Sequence, residues 1–327
     1  MGIGDKKFVL KEASRIEIIS LVDNSIDFLS SNSKREVQSF RQWTKERYDE
    51  EWAQTHAEFP VAEHGFSMLT RVFTEKSSYS VLFDTGVSPN GVVVNAERIG
   101  LDLGGIDYIV LSHGHYDHFG GLEATVKAIN KTDLPIIAHE HMFKHRGTAN
   151  SNGVIRKYPE FPTKEKLNLA KIITTKKPYL IANKTACITG EIPRKTSFEK
   201  GPPQNMVLSN NRWQSDPDIL DERALVLNLK EKGLIIISDC AHAGIINTIH
   251  YAQLITGVTK IYAVLGGFHL AGKEFEKRID LTIKELKLIN PELIVPSHCT
   301  GWKAMTKISE KFPNAFVWNS VENLYQL

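Results

Sequence analysis

The sequence predicts an α/β protein in which helices cover β-sheets, and three features carry that expectation. Strand-like apolar runs come first, as a meander. Strands and helices then alternate. After a central hairpin the same order recurs. At 327 residues, with 42% hydrophobic and 24% charged residues, the chain has ample material for one large domain.

Taken in order, RIEIISLVDN (15–24) alternates apolar and polar residues and ends polar, as a strand should. The highly charged stretch 31–58 is expected to be an exposed helix or an ordered insertion, at about 31–60. FSMLTRVF (66–73) and SYSVLFDTG (78–86) are two strands joined by a polar turn at Glu75–Ser78. VVVNAERIGL (92–101) is a helix, IDYIVLS (106–112) a strand, GGLEATVKAIN (120–130) a helix and PIIAHE (135–140) a strand. Periodicity is weakest over 141–220, which carries only short strand-like pieces such as YLIA and ACITG. So long an irregular stretch is expected to be a cap that lines a site. ALVLNLKEKGLIIISD (224–239) is a hairpin turning at Lys230–Gly233. Helix GIINTIHYAQLI, strand KIYAVLGGF, helix EFEKRIDLTIKELKLI, strand ELIVPS, helix KAMTKISEKF and strand AFVWNS (315–320) complete the chain. The expectation is a single domain over 1–327 with insertions rather than a second fold.

Bulk properties narrow the function. A net charge of +2 favours neither a nucleic-acid partner nor an acidic disordered chain. Three cysteines, Cys187, Cys240 and Cys299, do not make a disulfide framework and fit a reducing compartment. No apolar run approaches bilayer length, and the opening residues lack the apolar core of a leader. The expectation is a cytoplasmic protein with a small-molecule substrate, no nucleic acid and no membrane partner.

LSHGHYDHFGGL (111–122) carries the chemistry. In an extended segment residues i and i+2 point the same way, so His113 and His115 can grip one ion. Asp117 continues that side. His118, where the chain turns into Gly120–Gly121, can face a second ion with Asp117 beside it. Imidazole and carboxylate donors suit zinc, manganese or iron.

This HxHxDH pattern between strand and helix resembles the signature of the metallo-β-lactamase superfamily. The resemblance implies a four-layer αββα sandwich with two mixed sheets and two divalent ions, zinc first, at one edge. In that family an aspartate ending an earlier strand supports the metal loop from below, and Asp84 of LFDTG stands there. A later strand ends in a bridging acid or a cysteine ligand. Here DCAHAG (239–244) supplies Cys240, with His242 two residues on and Asp239 as a further bridging candidate. The last family ligand follows a late strand, so His298 of PSHCTG is expected on the second metal, with Cys299 a packing neighbour. The family's third site-one histidine is absent between His145 and His242, which leaves His242, Asp221 or Glu222 to fill that position.

LVDN, AEHGFS (62–67), GEIPR (190–194), DCAHAG, GGFHL (266–270) and PSHCTG together resemble one branch of the superfamily. These are metal-dependent hydrolases related to the archaeal dihydropterin–aminobenzene ribofuranosyl phosphate synthase. His269 emerges from GGFHL at a strand's carboxyl end, as a metal ligand or, preferred, as an acid/base near the leaving group. His64 is a substrate-contact candidate, and Arg194 is the preferred contact for a phosphate or carboxylate of the substrate. His139, His141 and His145 are expected not to bind metal. The expected function is a hydrolase in which a metal-activated hydroxide, oriented by Asp117, attacks an ester, phosphodiester or related bond. A dihydropterin-methyl transferase of the same fold is the alternative, with Phe66, Trp213 and Phe268 as candidate pterin walls. A non-catalytic metal-binding sensor is the second alternative.

Overall fold

The computed structural model describes residues 8–30, 34–55 and 58–327. Residues 1–7, part of the stretch read above as lacking a leader, and residues 31–33 and 56–57 of the expected insertion lie outside the described residues. Two mixed sheets dominate. The first runs, in spatial order, Ala170–Thr174, Leu134–Ala138, Tyr108–Val110, Ser78–Phe83, Ser67–Phe73, Arg15–Val22, Leu324–Gln326 and Val37–Gln38. The second runs Tyr179–Ile181, Ala186–Ile188, Leu225–Leu229, Gly233–Ile237, Ile261–Gly267 and Leu293–Ser297, with Glu12–Ala13 also paired to Leu225–Leu229. Ser67–Phe73 and Ser78–Phe83 are antiparallel, as are Leu225–Leu229 and Gly233–Ile237. The crossovers through helices make the pairs beyond them parallel.

Strand periodicity explains the layering. In Arg15–Val22, Ile16 and Ile18 enter the core between the sheets, whereas Ile19 and Leu21 face the outer helices. In Gly233–Ile237, Ile235 and Ile237 point inward and Leu234 and Ile236 outward. Both faces of each sheet are therefore covered, which is why these strands read as nearly unbroken apolar runs. Each such buried side chain stabilises the fold by about 1.5–3 kcal/mol. Helices Gly91–Arg98 and Leu122–Ile129 pack Val92, Ala96, Leu122 and Val126 on the first sheet. Helices Ile245–Thr256, Ile279–Ile289 and Trp302–Lys311 cover the second.

Residues 141–220 are mostly irregular, with short strands spaced along them. Ala170–Thr174, Tyr179–Ile181 and Ala186–Ile188 extend the main sheets, and Arg212–Ser215, Asn205–Ser209, Arg146–Ala149 and Ile155–Lys157 form a third sheet. Strands this short offer too few residues for alternation to be read. One expectation needs correction: AFVWNS is not a strand, for only Phe316 bridges to Ile294. Its polar end is held by side chains instead: Asn319 Nδ2 donates to Ser20 Oγ at 3.0 Å and to Asp23 Oδ2 at 2.6 Å. The chain then crosses to the first sheet and ends in Leu324–Gln326, antiparallel to Arg15–Val22. The charged stretch 31–58 does hold helices, Phe40–Arg47 and Glu50–Thr55. It is anchored by Trp43, 1% exposed, whose Nε1 donates to Glu322 O at 2.9 Å.

Glu322 is buried, its carboxyl oxygens have no partner among the described residues, and burial raises its pKa from 4.5 to about 9. The unfolded chain ionises above 4.5 while the folded chain holds the proton. The contribution to stability is thus full below pH 4.5 and is lost as pH rises through about 9, at no more than about 1.4 kcal/mol per unit. Glu322→Gln is therefore expected to narrow the difference between urea midpoints at pH 5 and pH 8 and to be the more stable form at pH 8. An unchanged difference would show that this carboxyl does not titrate in that window.

Candidate metal centre

The carboxyl ends of Ser78–Phe83, Tyr108–Val110, Gly233–Ile237, Ile261–Gly267 and Leu293–Ser297 deliver the chemical side chains to one edge between the sheets. Four of the residues there adopt left-handed backbone: Asp84 (φ 61°), Ala241 (φ 58°), His269 (φ 44°) and His298 (φ 47°). Non-glycine residues rarely sit there, and such conformations cluster where surrounding structure holds a functional geometry.

The HxHxDH loop is clamped at both ends by Asp84. Ser112 N–H donates to Asp84 Oδ1 at 2.7 Å and Ser112 Oγ to Oδ2 at 2.6 Å, while His118 Nδ1 lies 2.7 Å from the same Oδ2. That interaction fixes the His118 tautomer and turns Nε2 toward the cluster, as the outer partner of a metal-binding histidine does. The middle of the loop is pinned by Asp221, which accepts from Gly114 N–H at 2.7 Å and pairs with Arg146 Nη2 at 2.5 Å.

Donor atoms converge above these anchors. His113, His115 and His242 bring ligand nitrogens within 4.8 Å of one another, as do His64, Asp117 and His298, and likewise His113, His118, Asp239 and Cys240. Asp117 Oδ2 is 3.5 Å from His298 Nε2 and 3.7 Å from both His118 Nε2 and His64 Nε2. These separations exceed normal hydrogen bonds. They fit atoms that share an ion, because tetrahedral ligands at about 2.1 Å stand about 3.4 Å apart. His113 Nε2 and both ring nitrogens of His242 and His298 are buried without a partner among the described residues. Orphaned buried nitrogens are costly, and metal coordination would satisfy them. Burial pushes the pKa values of His113, His115, His242 and His298 well below 6.5, which keeps them in the neutral form that binds metal. His118 behaves oppositely: burial would lower it, but Asp117, Asp84 and Asp239 raise it to about 10. A pocket that recruits a proton between its carboxylates is one that asks for positive charge. The residues therefore fit divalent metal.

Of the three candidates for the vacant position, His242 is the one that joins His113 and His115. Asp221 is occupied by Gly114 and Arg146, and Glu222 accepts the backbone N–H groups of His242 and Ala243. Cys240 Sγ lies 3.3 Å from His118 Nε2. Asp239 Oδ2 lies 2.5 Å from His113 Nδ1, but neither of its carboxylate oxygens makes a hydrogen bond among the described residues, and it groups with His113, His118 and Cys240. His269 and Cys299 gather with Cys240. His139 meets Glu191, and His139, His141 and His145 lie outside these groups.

A cavity of about 300 Å³ opens on the cluster, lined by His64, Asp117, His269 and His298 together with Tyr116 and Tyr158. Arg194 does not line it. Its Nη2 donates to the backbone oxygens of Asp218 and His242, its Nη1 lies 3.8 Å from the Asp218 carboxylate, and its Nε is buried without a partner among the described residues. Phe66, Trp213 and Phe268 do not line it either. Phe66 packs beneath His118 and His298, and Phe268 lies in the core under the second sheet. Sequence reasoning missed Asp23, which supports His298 by accepting its N–H at 2.7 Å. The phrase LVDN, an acid at a strand's end, was the available signal.

Asp84→Asn keeps the size of the clamp but removes its charge. It is expected to weaken binding of the ion at His118 by about 10–100-fold, measured by competition with a chelating dye. Unchanged affinity would remove Asp84 from the metal's support.

Known proteins resemble this chain in sequence and in fold. Residues 71–199 match the family described as "Metallo-beta-lactamase superfamily". The chain is 35% identical over 260 residues to 7,8-dihydropterin-6-methyl-4-(beta-D-ribofuranosyl)-aminobenzene-5'-phosphate synthase of Methanocaldococcus jannaschii, covering 78% of this chain and 87% of that protein. It is 33% identical over 267 residues to an uncharacterized protein of the same organism, covering 80% and 92%. Among solved structures, a metal-dependent hydrolase of the beta-lactamase superfamily superposes with a TM-score of 0.71 at 23% identity, covering 95% of this chain and 99% of that one. The fold is thus shared.

Proposed function

The chain belongs to the metallo-beta-lactamase superfamily, and on that premise we propose that it is a metal-dependent hydrolase of a small, phosphate-bearing ester or phosphodiester. The observation that carries this reading is the convergence of orphaned imidazoles and Asp117 at one cavity. His113, His115 and His242 would hold one ion, and Asp117, His118 and His298 the other, with Cys240 beside them. The donors suit zinc, with manganese or iron distinguished by elemental analysis. Such ions supply Lewis acidity and lower the pKa of water from about 16 to about 7. Asp117, whose side chain is 14% exposed and lines the cavity, would accept a hydrogen bond from the attacking water and orient it. His269 lines the same cavity and delivers a proton to the leaving group. The cavity, at the small end of the range for ligand sites, favours one modest substrate plus water.

The test is a zinc-loaded preparation assayed with bis-p-nitrophenyl phosphate. Two ions per chain, with turnover abolished by a chelator and restored by metal, are expected. Two bound ions with no turnover of phosphodiesters or esters would overturn the hydrolytic reading. A specific relationship favours a second reading: 35% identity to a protein named as a synthase that forms an aminobenzene ribosyl phosphate compound. In that reading an amine or carbon nucleophile replaces water over the same ligands. Product formation from a dihydropterin bearing a diphosphate leaving group and an aminobenzene ribosyl phosphate would establish it. Cysteines that are all unpaired, and helices none of which among the described residues is long and apolar enough to cross a membrane, agree with action in the cytoplasm on such a metabolite.

A further inference from the structure

We infer that the third sheet carries a phosphate-monoester subsite, distinct from the metal ligands, built from Arg156, Thr148 and Asn205. The inference deepens the proposed function and rests on the cavity being the substrate pocket. Strand register brings the three together. Asn205 stands opposite Thr148, and Thr148 opposite Arg156, across three adjacent strands. Directly paired residues project from the same face of a sheet, about 4.8 Å apart from strand to strand. The three therefore form one row, and all three line the cavity.

The chemistry of the row is that of donors. Arg156 Nη2 donates to Tyr116 Oη at 2.8 Å, and no carboxylate among the described residues pairs with its guanidinium. Another arginine of the same region, Arg146, is already neutralised by Asp216 and Asp221. Asn205 is 7% exposed, and its Nδ2 has no partner among the described residues. A buried amide donor left unmade is costly, and an incoming acceptor would relieve it. A guanidinium fork, a hydroxyl and an amide together match the three terminal oxygens of a phosphate monoester better than the two of a carboxylate.

The row is set apart from the metal ligands by an aromatic layer. Tyr158 stands 5.4 Å from the ligand-type ring of His115 and 5.3 Å from Tyr116, and Tyr116 reaches Arg156. The carboxylate lining the cavity, Asp117, stands instead beside His64, His118 and His298. The cavity is therefore polarised. The substrate class that fits is a small molecule whose reacting bond lies over the metals and whose far end is a phosphate monoester.

Isothermal titration of the zinc-loaded protein with ribose 5-phosphate tests this, with ribose and inorganic phosphate as controls. Ribose 5-phosphate should bind and ribose should not. Arg156→Gln should weaken binding about 10- to 100-fold, the scale of a charge-assisted contact. Arg156→Lys should lose less, and Asn205→Ala should weaken binding several-fold. No binding by the unmutated protein, or affinity unchanged in both Arg156→Gln and Asn205→Ala because phosphate docks on the metals, overturns the inference. Binding is read without turnover. A protein that binds ribose 5-phosphate through Arg156 yet hydrolyses nothing would sink the hydrolase reading and leave the subsite standing.

Discussion

Asp117→Ala is expected to lower kcat/KM toward a phosphodiester by on the order of 10³-fold, the upper range for removing one preorganised polar group, and to reduce bound metal from two ions toward one. The expectation follows from how little the Asp117 side chain does for the fold. Its carboxylate approaches His64, His118 and His298 at 3.5–3.7 Å, too far for hydrogen bonds. Its backbone oxygen, which accepts from Phe66 N–H at 3.2 Å, survives the substitution. The melting temperature measured on metal-free protein should fall only by the lost attraction between Asp117 and protonated His118, while metal content and turnover fall together. Asp117→Asn separates the two roles proposed for the residue. It retains size and one acceptor oxygen but removes the charge, so metal loss should be milder than in the alanine variant while turnover remains low. An Asp117→Ala enzyme with two ions and full turnover would remove this residue from the chemistry.

The layering of the fold was legible because strands buried on both faces leave long apolar runs, as in LVLNL and GLIII, and the helices between them carry their own period. The third sheet was not legible. Its strands are three to five residues long, and Arg146–Ala149 pairs with Asn205–Ser209, far along the chain, so neither alternation nor proximity announces it. The ligand-type residues were legible wherever they come in spaced pairs at strand ends. Their supports were not. Asp23 meets His298 across 275 residues, and Asp221 meets Gly114 across 107. Nothing in the neighbouring residues tells that such a carboxylate accepts from a distant N–H. Nor could the sequence show that Arg156 stands in strand register with Thr148, which places both on one face of the third sheet.

The choice among His242, Asp221 and Glu222 can be decided by three substitutions with opposite signatures. Glu222 holds the backbone N–H groups of His242 and Ala243, next to Ala241 in its left-handed turn. The carboxylate thus aims the imidazole, whose two nitrogens are left with nothing to bind among the described residues. His242→Ala is expected to leave the ion of His113 and His115 with two protein ligands. Cobalt substituted there should lose the visible absorption of a four-coordinate site, and turnover should fall by on the order of 10³-fold, as for loss of one essential electrostatic contact. Glu222→Gln should keep both ions, because the amide oxygen still accepts one of the two N–H groups, and should show its cost chiefly in a lower urea midpoint. Asp221→Asn should loosen Gly114 and leave Arg146 buried without its closest carboxylate. That lowers stability more than it changes the cobalt spectrum, since breaking one partner of a buried pair typically costs about 3–5 kcal/mol. A His242→Ala protein that retains the four-coordinate spectrum and two tightly held ions would return the position to one of the acids. Full metal content in the other two variants would leave His242 as the group that completes the site.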